Sequence, residues 1–152
     1  MTSADRGARA TVVAAAALLE QGRRVDALSR PLTVAALIAL VLLPRLAVKT
    51  SAALLAVTSL VALCGIVEIY LAMRVDFDRA LFRQLASDED AADPELLDTA
   101  LLALGLLPRA KAGRSLAARI DGTRRLFRHQ ILTAAGQLAL MLVAFALTVS
   151  GS

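Results

Sequence analysis

Residues 52–73 read AALLAVTSLVALCGIVEIYLAM, 22 residues with one charge, Glu68. At about 1.5 Å of rise per residue, a run of about 20 apolar residues crosses a bilayer core. This stretch decides the fold class, and the rest of the chain is read outward from it. Arg74 marks its end. No Gly or Pro follows before residue 87, so the helix is expected to continue. Phe77, Leu81 and Leu85 then recur on one helical face, with Asp76, Arg79 and Arg83 as charged neighbours suited to local ion pairs.

On the N-terminal side, residues 32–43 are uncharged and are followed by Pro44 and Arg45. A span over 32–48 is short, and crosses only with Arg45 reaching toward the headgroups. Upstream, residues 8–28 read as an Ala-rich helix with an apolar core too short to span. It is expected to stop at Ser29-Arg30-Pro31 and to lie in or near the membrane interface, Pro31 opening a new helix. Asp5 among the first residues and the polar run that begins at Glu20 speak against a cleaved signal.

On the C-terminal side, residues 87–93 form an acidic linker, and Asp93-Pro94-Glu95 is a helix-start pattern. Segment 94–108 is leucine-rich and apolar nearly all round, so it must be buried against protein or the membrane interface. Residues 114–129 make a basic amphipathic helix with Leu116, Ile120, Thr123 and Phe127 as its apolar stripe. It runs into a third uncharged span, 131–149. The expected fold is therefore an all-α integral membrane protein with three transmembrane helices and cytoplasmic amphipathic extensions. Its parts are an N-terminal helix (1–30), a transmembrane hairpin (31–73), a cytoplasmic helical segment (74–129) and a third span (130–152).

Composition agrees. Hydrophobic residues make up 58% of the 152 and aromatics 3%, with a mean hydropathy of +0.67. A soluble domain of this size needs a more polar exterior. The 17 Lys and Arg outnumber 13 Asp and Glu. They flank apolar runs, and without stacking aromatics they fit lipid headgroups, not nucleic acid. Ten of them lie in 74–129, five in the N-terminal segment and two, Arg45 and Lys49, between the first two spans. The positive-inside rule then puts the N-terminus and 74–129 in the cytoplasm and the C-terminus outside. The preference for Arg over Lys with abundant Ala is that of a GC-rich bacterial gene, hence an inner-membrane location.

Few residues carry chemistry. Glu68 is an intramembrane carboxyl, which must be paired or hydrated. Gln137, near Thr133 and Gly136, is helix-contact glue, and Ala135 with Ala139 forms a small-xxx-small pair. His129 is interfacial, and one His with one Cys, Cys64, makes neither a zinc site nor a two-ligand haem site. Asp76, Asp78 and Asp121 have no spacing that suits a metal pair. No catalytic, cofactor-binding or metal-binding residue is assigned. The expected function is a non-catalytic accessory or scaffold subunit of a larger membrane complex, binding a membrane-protein partner through Leu97, Leu101 and Leu104. Arg124, Arg125 and Arg128 are expected on anionic lipid headgroups. The competing expectation is a homo-oligomeric proton or ion conductor using Glu68.

Overall fold

The computed structural model describes residues 3–45, 51–87, 99, 102, 103, 105 and 113–150. Among them the chain is all-helical, with α1 Ser3–Leu42, α2 Ala52–Ser87 and α3 Leu116–Ser150. Each contains a stretch long and apolar enough to cross a membrane: Arg9–Leu42, Ala52–Gln84 and Leu116–Ser150. Helices of 40, 36 and 35 residues run about 50–60 Å, well beyond a hydrocarbon core of about 30 Å.

Local chemistry sets the ends. Ser51 caps α2, its Oγ accepting from the Leu54 amide at 3.1 Å, and Ser115 caps α3 by accepting from the Ala118 amide at 3.3 Å. Gly113, just before that cap, has φ 72°, a turn conformation that a side chain resists. Past α1, a turn carries the chain through Pro44, the Leu43 amide still reaching the Ala39 carbonyl at 2.9 Å.

The three helices pack along seams with alternating spacings of three and four. On α1 the inward positions run Val12, Ala15, Leu19, Gly22, Asp26, Ser29, Thr33, Ala36 and Leu40. On α2 they run Leu54, Thr58, Val61, Gly65, Glu68, Ala72, Val75, Arg79 and Phe82. On α3 they run Leu116, Ile120, Thr123, Phe127, Gln130, Ala134, Gln137, Met141 and Ala144. A sustained 3.5-residue period is the signature of coiled-coil packing. Gln130 meets Gly22 and Gln137 meets Ser29, both at a separation of 108 residues, so α1 and α3 are parallel. Glu20 pairs with Arg79 while Gly65 abuts Thr33, so α2 runs antiparallel to α1.

This topology gathers the charged ends of all three helices into one half of the bundle. There, Val12, Leu19, Val75, Phe82, Ile120 and Phe127 form an apolar core. The other half has a smaller core of Ala36, Val61 and Ala62, backed by Leu40, Leu140 and Met141. Its large side chains point outward: Ile38, Leu63, Ile66, Leu142 and Phe145 are all more than half exposed.

Two expectations are corrected. The N-terminal helix does not stop before Pro31: α1 is continuous, with Pro31 inside it. Proline forfeits one backbone bond and crowds the preceding turn, and packing of α1 against α2 and α3 on both sides of it carries the helix through. Val12, Ala15 and Leu19 of that helix are buried against α2 and α3, while Val13 and Leu28 on its other face are exposed. In α2 the inward face carries Val75, Arg79 and Phe82, while Phe77 is exposed and Leu81 half-buried. The side chain of Leu85 lies outside those described. The stripe Leu116, Ile120, Thr123 and Phe127 is the inward face of α3 as read.

Candidate functional site

Between the two apolar cores the seams are polar. Ser29, Thr33, Glu68, Gln130 and Gln137 are all buried, and Glu68, Gln130 and Gln137 are fully so. Two small residues make room for them. A Cβ on Gly65 would stand 1.9 Å from Thr33 Oγ1 and 2.7 Å from Gln137 Nε2. A Cβ on Gly22 would meet Gln130 Oε1 at 3.0 Å and Val75 Cγ1 at 3.1 Å. At Gly65 only glycine allows this approach of backbone to side chain, while at Gly22 the fit is tight.

Two amide layers result, one helical heptad apart. In the first, Ser29 Oγ donates to Gln137 Oε1, Gln137 Nε2 donates to Thr33 Oγ1 at 2.9 Å, and Thr33 Oγ1 donates to the Ser29 carbonyl at 3.0 Å. The three donors close a ring around Gly65. In the second, Gln130 Nε2 donates to the Gly22 carbonyl at 3.0 Å and to Glu68 Oε1 at 2.9 Å, tying the three helices together through one amide. Glu68 Oε2 and Gln130 Oε1 are buried acceptors with no hydrogen-bond partner.

Toward the charged end, Arg79 is buried at a seam position and its guanidinium spans two helices. It pairs with Glu20 of α1 and with Asp76 at 3.0 Å. Arg83 reaches the same Glu20 carboxylate at 3.0 Å. On the α2–α3 side, Thr123 Oγ1 donates to Asp78 at 2.8 Å. A groove between α1 and α2 lies beside this cluster, walled by Arg23, Asp26, Arg30, Met73 and Asp76 and floored by Gly22. Within it Asp26 and Arg30 pair through two contacts, Nε to Oδ1 at 2.8 Å and Nη2 to Oδ2 at 2.7 Å.

Of the residues singled out from sequence, Glu68 and Gln137 lie in neighbouring layers of one interior seam, Gln137 contacting Ser29 and Thr33 and Glu68 contacting Gln130. Arg124, Arg125, Arg128 and His129 are exposed on α3. Cys64 is a half-buried free thiol. Asp76 and Asp78 are engaged with Arg79 and Thr123, and Asp121 is exposed. The small-xxx-small pair is displaced: Ala135 and Ala139 both face outward, and the close helix contact belongs to Gly65. Leu97, Leu101 and Leu104 and the acidic linker 88–93 lie outside the described residues. Gln130, which sequence reasoning passed over, is the residue that joins all three helices. Its signal was the spacing of seven to Gln137 on the same helical face. Among the described residues no three His, Cys, Asp or Glu side chains converge as a metal site would require.

No protein-family model, no curated protein and no solved structure matches the chain.

Proposed function

We propose that the chain is a non-catalytic accessory or scaffold subunit of a larger membrane protein complex. The observation that carries this reading is the inverted arrangement of the apolar half. Polar groups are turned inward and largely spent on one another, while Leu60, Leu63, Ile66, Tyr70, Leu138, Leu142 and Phe145 cover the outside. Such a surface suits lipid and the helices of a neighbouring protein, and the interior holds the bundle together without either. The leucine-rich segment 94–108, with Leu97, Leu101 and Leu104, is the second docking element. Crowding of Lys and Arg at the charged end supports an orientation with that end cytoplasmic and the C-terminus outside, and the preference for Arg over Lys with abundant Ala supports a bacterial inner membrane. Arg124, Arg125 and Arg128, exposed there, serve anionic headgroups.

The test is purification of the tagged protein from its native membranes in mild detergent, with native mass spectrometry and protein identification on the eluate. A stoichiometric second polypeptide, lost on Leu97→Ser with Leu101→Ser, supports the reading. A homo-oligomer with nothing else bound overturns it.

One observation favours a second reading, a homo-oligomeric proton or ion conductor: Glu68 Oε2 and Gln130 Oε1 are buried acceptors awaiting a positive charge. Against passage along the bundle's own axis stands the apolar layer of Ala36, Val61 and Ala62 beyond Gly65. A conductor would therefore have to build its path between copies. Proteoliposome flux that disappears in Glu68→Gln is the result this reading requires.

A further inference from the structure

The groove between α1 and α2 sits where the bundle changes character. Arg30 is the last charge on α1 before the apolar run 31–43, and Arg74 is the first on α2 after Glu68. Above this level the groove walls are charged, with Arg23, Asp26 and Asp76, and at it stand Arg30 and Met73. One and two turns below Arg30 on the same flank of α1 lie Val34 and Ile38, each more than half exposed, and Ile66 of α2 is likewise open. A charged pocket that opens downward onto apolar rows has the shape of an amphiphile: a polar head above, hydrocarbon below.

The charges specify which head. Two arginines and two aspartates line the groove, so the lining itself carries no net formal charge, and Asp76 is also held by Arg79 at 3.0 Å. An anionic headgroup would meet both carboxylates. A headgroup carrying a phosphate and an ammonium meets an opposite charge with each. Arg30 commits Nε and Nη2 to Asp26 and leaves Nη1 outside that pair. Arg23 touches only Glu20, at 3.6 Å, beyond hydrogen-bond distance. Both guanidiniums therefore keep donors for phosphate, and the carboxylates of Asp26 and Asp76 each have further lone pairs for N–H donors. A primary ammonium supplies such donors and a trimethylated one does not.

We propose that this groove is a binding site for a zwitterionic phospholipid with a primary-amine headgroup, the phosphatidylethanolamine class. Its phosphate lies between Arg23 and Arg30, its ammonium between Asp26 and Asp76, and its acyl chains run along Val34, Ile38 and Ile66. The site is separate from the net-positive face of Arg124, Arg125 and Arg128. The proposal rests on the reading that the apolar half lies in a membrane. Extraction separates the two: recovery of the folded chain from cells without detergent would remove that reading before any lipid is assayed.

The test is native mass spectrometry of the detergent-purified full chain after delipidation, with phosphatidylethanolamine, phosphatidylcholine or phosphatidylglycerol added back at equal concentration. The expected result is one phosphatidylethanolamine per chain, retained about ten-fold better than phosphatidylcholine, the worth of about one hydrogen bond to a charged group. Asp76→Asn, which leaves the Asp26–Arg30 pair untouched and gives up the ion pair to Arg79 while Glu20 still holds that guanidinium, is expected to erase that preference while phosphatidylglycerol binding is kept. Arg30→Gln is expected to weaken both zwitterionic lipids together. Circular dichroism confirms that each variant is folded. Equal retention of phosphatidylcholine and phosphatidylethanolamine, stronger retention of phosphatidylglycerol at this site, or an undiminished preference in Asp76→Asn overturns the proposal.

Discussion

Gly65 and Thr33 stand so close that a single methyl group on the glycine would lie 1.9 Å from the threonine hydroxyl. The contact pins α2 to α1 at the level where Gln137 of α3 also arrives. Gly65→Ala is expected to cost about 2 kcal/mol, the usual range for overpacking a tight interior. Thr33→Ala in the same chain should recover part of it by removing the nearest atom. Reversible unfolding of the detergent-solubilised protein by SDS measures both, and an unchanged midpoint for Gly65→Ala would show that the helices do not meet there.

Gln137 is expected to be worth more through its bonds than through its bulk. Gln137→Leu keeps the volume but opens the ring with Ser29 and Thr33. Interhelical hydrogen bonds in membranes are worth about 0.6 kcal/mol on average and up to about 1.7 kcal/mol. A double-mutant cycle with Ser29→Ala should return a coupling energy in that range. Additive single effects would show that the two side chains do not interact.

Glu68 offers Gln130 an acceptor oxygen, and so does glutamine. Glu68→Gln is expected to leave bundle stability near wild type. Glu68→Leu leaves one Gln130 N–H without its partner in a buried site, and is expected to cost about 1–3 kcal/mol. Thermal unfolding in detergent separates these outcomes. A large loss in Glu68→Gln would mean that the carboxyl itself, and not its acceptor oxygen, holds the helices.

In the charged half, Arg79 is buried while its partner Glu20 is substantially exposed. Arg79→Ala removes a side chain that packs at the seam as well as the bridge to α1, whereas Glu20→Gln leaves Asp76 beside the guanidinium. Limited proteolysis of the N-terminal half of α1 is expected to accelerate strongly in Arg79→Ala and slightly in Glu20→Gln. The reverse order would contradict the pairing.

The two halves should answer differently to loss of an aromatic ring. Phe82 is buried in the charged-half core, and Phe82→Ala is expected to cost about 3–5 kcal/mol. Phe145 is 67% exposed on the apolar half, and Phe145→Ala is expected to change unfolding by less than about 0.5 kcal/mol. A partner helix packed over Phe145 would show itself as a loss of co-purifying protein in that variant.

How much of this was legible depends on the solvent each helix face meets. In 116–127 the bundle has an ordinary apolar seam, and Leu116, Ile120, Thr123 and Phe127 were read correctly from their spacing. In 75–85 the same rule slipped by two residues, because Arg79 holds a seam position and made the inward face look polar. In the apolar half the rule inverts. Leu37, Ile38, Ile66, Leu138 and Leu142 point outward, and the seam carries Ser29, Thr33, Gly65, Glu68 and Gln137. Hydrophobic periodicity marks the face that meets the apolar medium, which in a bilayer is the outside. Individual residues such as Glu68 and Gln137 stood out as isolated polar positions, but their closeness rests on an α2–α3 register that no local pattern encodes.

The polar ring around Gly65 also bears on how the chain is made. α1 leaves the ribosome first, with a brief apolar run and with Ser29 and Thr33 uncovered. Their partners, Gly65 and then Gln137, are synthesised later, on α2 and α3. With the apolar half placed in a membrane, as proposed above, hydroxyl and carboxyl groups would face hydrocarbon until α3 arrives, a costly exposure. We therefore expect α1 to be held at the insertion machinery and to settle only when α3 has emerged. A chain cut short before residue 116 would display those groups as a degradation signal, and its half-life in cells, compared with that of the full chain, reads this out.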